Sequence, residues 1–75
     1  MELRQMEYFQ KAGRMRSITK AATELHVSQP SVTVAIKKLE EELGVPLLDR
    51  SQKQIALTPE GRVCLKRTDD ILARI

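Results

Sequence analysis

The chain has 75 residues, enough for one domain and no more; at this size roughly 60–65% of the unfolded surface is buried on folding, which supports a three- or four-helix core but not a deep enzyme cleft. Hydrophobic residues make up 41% and charged residues 31%, which excludes a disordered tail, and the only aromatics, Tyr8 and Phe9, are too few for a base-stacking platform for single strands. The net charge of +3 is uneven: between positions 11 and 38, Lys11, Arg14, Arg16, Lys20, Lys37 and Lys38 face a single acid, Glu24, a footprint suited to phosphate.

Leu3, Met6, Phe9 and Gly13, with Ala12, recur at spacings of three and four and predict a first helix over about residues 3–14. Ser17 is placed to cap a second, whose Ile18, Ala21, Ala22 and Leu25 follow an amphipathic pattern. His26, a residue type that tolerates left-handed backbone, suits a helix-ending corner before Val27. Ser28 is the next cap, and Pro30 falls in a first turn where its missing N–H costs nothing. The third helix carries Val32, Ile36, Leu39 and Leu43 inward; Gly44 ends it and Pro46 prevents its resumption. Leu47-Leu48 and Ile55-Ala56-Leu57 flank a polar tip from Ser51 to Gln54 and predict a small hairpin. Thr58 and Pro59 open a fourth helix, on which Gly61, Cys64, Leu65, Thr68, Ile71, Leu72 and Ile75 share one broad face, with Val63 the one large aliphatic outside it. That pattern is still running at the last residue, as expected of a chain cut inside a longer helix.

The third helix poses a question: Pro30 and Val34 project away from its apolar stripe. Such a face suits a DNA major groove, which a recognition helix enters with its N-terminal residues nearest the base edges. Gln29 can bridge the edge of adenine, Thr33 can donate or accept at several bases, and Pro30 and Val34 can meet thymine methyl groups. Lys37 and Lys38 then reach phosphates, while Glu40-Glu41-Glu42 lie away from the DNA. Further backbone contacts are expected from Arg16, Ser17, Lys20, Ser28 and Ser31, although Ser17 and Ser28 also cap helices. Arg50, Gln52 and Lys53 form the wing, with Lys53 as its tip contact; a pairing of Arg50 with Asp49 or Glu42 is the structural alternative. Cys64, Leu65, Thr68, Ile71, Leu72 and Ile75 form a candidate dimerisation face, and a two-fold dimer would match a dyad-symmetric site.

The stretch AATELHVSQPSVTVAIKKLEEELGVPLLDR, followed by LTPEG, resembles the N-terminal domain of LysR-type transcriptional regulators. The resemblance runs through nearly the whole chain, carried by Ala21-Ala22, Leu25, Val27-Ser28-Gln29-Pro30, Leu39-Glu40, Leu43-Gly44, Arg50 and Leu57-Thr58-x-x-Gly61. It implies a mainly α winged helix-turn-helix: a three-helix core and small β-hairpin wing over residues 1–58, then the start of a linker (dimerisation) helix over 59–75. It also implies double-stranded promoter DNA as partner, at an interrupted inverted repeat with T and A at its outer ends. Gln29, Pro30 and Thr33 match the family's base-contact positions. The family's members usually continue into an effector-binding C-terminal domain, which takes a small molecule and is expected to lie outside these 75 residues. Val34 and Ala35 depart from the family's frequent Arg and Gln, which implies a more methyl-dominated readout. Thr33 replaces a frequent Ser, Leu48 a frequent Phe, and Arg16 a common Gly.

Other functions fit less well. His26 is the only histidine and Cys64 the only thiol, so neither a zinc site nor a nucleophilic centre is expected, and the chain reads as a non-enzyme without metal or cofactor. One cysteine permits no internal disulfide, and with no signal peptide and no apolar run near the membrane-spanning length of about 18 residues, a cytoplasmic protein without membrane contact is expected. The alternative is a winged helix used only for protein–protein contact; it would keep the same core but needs neither the basic patch nor the uncharged start of the third helix.

Overall fold

The computed structural model describes residues 2–74. Its elements follow in the order α1 (Leu3–Met15), α2 (Ile18–Leu25), α3 (Gln29–Leu43), β1 (Leu48–Asp49), β2 (Ala56–Leu57) and α4 (Pro59–Leu72). The three first helices pack on one another and α4 returns across α1. The strands pair antiparallel, Leu48 opposite Leu57 and Asp49 opposite Ala56. This is a winged helix-turn-helix with an added C-terminal helix.

Polar residues set the helix starts as the sequence predicts. Ser17 Oγ accepts from the Lys20 N–H at 3.1 Å, Ser28 Oγ from the Ser31 N–H at 3.3 Å, and Thr58 Oγ1 from the Gly61 N–H at 2.9 Å. Left-handed residues end the first three helices: Arg16 at φ 53°, His26 at φ 60° and Gly44 at φ 75°. At the turn between α2 and α3, the N–H groups of His26 and Val27 donate to the carbonyls of Thr23 and Ala22 at 3.2 and 3.0 Å. That bonding fixes the corner that aims α3 across α2.

Phe9, Val32, Ile36, Leu39 and Leu47 are fully buried, each contributing about 1.5–3 kcal/mol by leaving water. Ala12, Ala21 and Ala22 let the three helices approach closely around them. Two expected core positions lie outside. Leu3 and Leu43, at opposite ends of α1 and α3, are both 42% exposed. Ala35, whose side the apolar stripe did not include, is buried against α1.

The wing is anchored by polar groups more than by its two short strands. Glu40 Oε2 accepts from the N–H groups of Leu47 and Leu48 at 2.7 and 3.2 Å. Thr58 closes the other side: its N–H donates to the Leu47 carbonyl at 3.0 Å and its hydroxyl to the Pro46 carbonyl at 2.7 Å. A second polar clasp ties α4 to α1, where Gln10 Nε2 donates to Asp69 Oδ1 at 2.7 Å and the Arg14 guanidinium pairs with the same carboxylate.

Candidate nucleic-acid interface

One face of the N-terminal half of α3 is exposed, while Val32 and Ala35 on the other are buried. Gln29 and Pro30 are exposed, and Val34 retains 51% of its surface, so a large aliphatic side chain points into solvent one turn beyond a proline. Thr33 is half-buried on the flank of this face. At about 100° per residue, Pro30, Val34 and Lys37 form the outward crest. Gln29 and Thr33 fall on one side of it, Ser31 and Lys38 on the other. Lys37 and Lys38 are both exposed. The crest is therefore uncharged where α3 begins and basic in its middle.

The expected backbone contacts divide by how far the fold already occupies them. Lys20 is exposed. Ser17 and Ser28 hold their caps, and the Ser28 and Ser31 hydroxyls share a hydrogen bond at 2.8 Å. Arg16 is exposed, but its Nε donates to the Ile55 carbonyl at 3.3 Å, tethering the α1–α2 turn to the wing. Arg50 pairs with a carboxylate, the structural alternative the sequence offered, and that carboxylate is Glu40, at 3.7 Å. The same Glu40 that holds Leu47 and Leu48 draws the guanidinium inward. Gln52 and Lys53 are exposed at the tip. Asp49 braces that tip: its Oδ1 accepts from the Ser51 hydroxyl at 2.6 Å and from the Ser51 N–H at 2.9 Å, and these bonds, the hydroxyl's first, hold its carboxyl below the usual 3.8.

The α4 face divides as well. Thr68 is buried within its own domain at 2% exposure, and Cys64 and Leu65 lean on the core, because α4 packs back on α1. Leu72 is half-buried, Ile71 is 43% exposed, and Ile75 lies outside the described residues. Val63, the expected outlier, is 57% exposed and joins Leu43, Val45, Cys64 and Ile71 around an apolar groove of about 700 Å³. The outward apolar stripe of α4 is therefore rotated toward Val63. Periodicity locates an apolar arc on a helix; it does not say which edge of that arc the domain itself covers.

A family model described as "Bacterial regulatory helix-turn-helix protein, lysR family" matches residues 3–62. The chain belongs to the LysR family. Curated LysR-like relatives include the HTH-type transcriptional regulator BsdA of Bacillus subtilis (strain 168), 48% identical over 75 residues, covering 99% of this chain and 26% of that protein. Another is the probable cat1 operon transcriptional activator of Acinetobacter lwoffii, 41% identical over 75 residues, covering 100% of this chain and 25% of that protein. The chain thus spans about a quarter of the length of these relatives. Among solved structures, the complex of the BenM DBD with catB site 1 DNA superposes with a TM-score of 0.96 at 39% identity, covering 99% of this chain and 82% of that one. The complex of the CbnR DBD with DNA gives 0.93 at 42% identity, covering 97% and 84%. The LysR family is one of transcriptional regulators. Among the described residues no helix is long and apolar enough to cross a membrane, and no group of three His, Cys, Asp or Glu side chains could hold a metal ion.

Residue spacing did not reveal two parts of this surface. Glu40 lies in an acidic run that reads as a solvated helix end, yet it bonds across the following turn to two N–H groups. The N-terminal turns of α1, which the sequence presents only as a core helix, border the exposed face of α3. Arg4, a cation in the first turn of α1, was the one available signal.

Proposed function

We propose that this chain is the DNA-reading domain of a LysR-type transcription regulator, acting in the cytoplasm and by occupancy of a promoter, not by catalysis. Residues 1–58 bind double-stranded DNA, with α3 in the major groove and the wing on the backbone or in the minor groove; residues 59–75 begin the linker helix. The observation that carries this reading is the outward crest of α3, where Pro30 and Val34 are exposed with no core to serve and Lys37 and Lys38 follow them. Gln29, Pro30, Thr33 and Val34 would meet base edges and methyl groups. Lys20, Lys37, Lys38, Lys53 and the hydroxyls of Ser17, Ser28 and Ser31 would meet phosphates, which give affinity without sequence choice. Arg16 and Arg50 would hold the wing in place, with their remaining N–H groups turned to the backbone.

A homodimer through the groove beside α4 supports binding at an interrupted inverted repeat, since a two-fold protein matches a two-fold site. A small-molecule effector would act only through a C-terminal domain of the kind that the family carries.

The test is fluorescence anisotropy with two duplexes, an A/T-flanked interrupted inverted repeat and its scrambled version, each at several salt concentrations, followed by sedimentation of the complex. Tighter binding to the repeat with two chains per duplex supports the dimeric reader. No binding at low salt would reject it in favour of a protein-interaction module. Within this scheme Gln29→Ala should lose about 1–3 kcal/mol of discrimination at one base pair. A uniform loss across all sequences would remove Gln29 from direct readout.

A further inference from the structure

A helix lying in the major groove has a phosphate backbone on each side of it. The contacts proposed above come from α2, α3 and the wing. The opposite flank of α3 is bordered by α1, and between them runs a groove of about 440 Å³ whose lining includes Arg4 and Tyr8 from α1 and Pro30, Ser31, Val34 and Lys38 from α3. Pro30 and Val34 belong to the exposed crest, so the groove is continuous with the surface proposed to face the bases. Gln5, at its floor, is buried, and its side-chain oxygen accepts from the Glu2 N–H at 3.1 Å; that bond belongs to the start of α1.

Arg4 and Lys38 are exposed cations, and among the described residues neither has a carboxylate partner. Tyr8 is half-buried, its ring packed against the core, and its hydroxyl has no partner among the described residues. Two cations and two hydroxyls, the unpartnered one of Tyr8 and that of Ser31, which is shared with Ser28, therefore line one groove with one carboxylate, Glu2. Arg14, by contrast, lies on the same helix but is paired with Asp69. The fold neutralises the basic residue at the far end of α1 and leaves free the one beside α3.

We propose that Arg4, with Tyr8 and Lys38, grips a DNA phosphate on the strand that borders the α1 side of the recognition helix. Arg4 supplies a planar donor fork that suits a phosphate, and the Tyr8 hydroxyl donates a single hydrogen bond. This assignment rests on the DNA-binding reading. It makes α1 part of the interface and lets the domain hold both backbones flanking α3, which fixes the helix in the groove from two sides.

The salt dependence of binding to one short duplex tests it, since each phosphate contact contributes about 0.9 to the slope of log affinity against log salt. Arg4→Gln leaves a shorter, unbranched polar side chain and removes the charge; Arg4→Lys keeps the charge. Arg4→Gln should lower the slope by about 0.9 per chain at an unchanged unfolding midpoint, and Arg4→Lys should restore it. Tyr8→Phe should weaken binding equally on the repeat and on scrambled DNA with the slope retained. Lys53→Ala is the comparison on the same duplex. If it lowers the slope and Arg4→Gln does not, the Arg4 assignment is overturned while the DNA-binding reading stands. If the parent chain does not bind at all, both fall together.

Discussion

At the base of the wing, Glu40 accepts from two backbone N–H groups and pairs with Arg50, Arg16 bonds to Ile55, and the Thr58 hydroxyl donates to Pro46 and, as the cap of α4, accepts from Gly61. At its tip, Gln52 and Lys53 are exposed and, among the described residues, only Asp49 and Ser51 bond to each other. Both ends are polar and both carry a basic residue, yet they are used differently. The base consumes its charged and hydroxyl groups in holding two-residue strands that could not persist alone. The tip keeps its cation available. Composition alone does not distinguish a structural arginine from a binding lysine; the distance to the nearest internal acceptor does.

The sharpest way to break the base is Gly61→Ala. A Cβ at this position would lie 2.0 Å from the Leu47 carbonyl oxygen, a backbone atom already bonded to the Thr58 N–H. Either α4 or the Leu47 segment must move, at a cost of about 3 kcal/mol. A urea melt should show that loss directly. An unchanged midpoint would mean that the approach of α4 to the wing is looser than the contact implies.

Glu40→Ala comes next. It leaves the N–H groups of Leu47 and Leu48, two buried residues, without their acceptor, and should destabilise by about 2 kcal/mol. Glu40→Gln, which keeps an acceptor oxygen, should recover most of it. If the ion pair with Arg50 were the main term, Gln would be as damaging as Ala. At 3.7 Å and with Arg50 37% exposed, that pair should contribute less than about 1 kcal/mol.

These residues also mark the boundary of what the sequence discloses. Helix caps, turns and the apolar stripes of α2 and α3 follow from neighbours within about one turn, so Ser17, His26, Ser28, Gly44 and Thr58 were legible one by one. The crest formed by Pro30 and Val34 was legible for the same reason, being a departure from a local stripe. Glu40, Arg16 and Asp69 were not. Glu40 reaches across a turn, Arg16 bonds 39 positions away, and Asp69 meets residues 55 and 59 positions away. Nothing in the spacing of residues records those meetings. The buried Thr68 and exposed Val63 share this cause, since which edge of α4 is covered depends on where α1 lies.

A smaller effect belongs to Asp49 at the junction of base and tip. Its carboxyl is held below 3.8 by the Ser51 hydroxyl and N–H, so the folded state binds the proton less readily than the unfolded chain. The resulting stabilisation is fully present above 3.8 and is lost as the pH falls through the lower folded value. The group is fully exposed, so solvent keeps the effect small. The gap in unfolding midpoint between the parent and Asp49→Ala should be constant near neutrality and shrink in acid. A gap that persists unchanged into acid would assign the stabilisation to the uncharged hydrogen bonds.

The smallest stability effect is expected at the tip itself. Lys53 is exposed, and no ion pair or hydrogen bond holds it among the described residues, so Lys53→Ala should leave the unfolding free energy within about 0.5 kcal/mol of the parent. The same substitution should lower the salt slope of DNA binding by about 0.9 and weaken the repeat and its scrambled version alike. Arg50→Ala offers the opposite pattern, a measurable loss of stability with a smaller direct loss of slope, because its guanidinium already faces Glu40. Equal slope losses from both variants would show that the Glu40 pairing opens on DNA and that the base of the wing turns its arginine outward when phosphate competes for it.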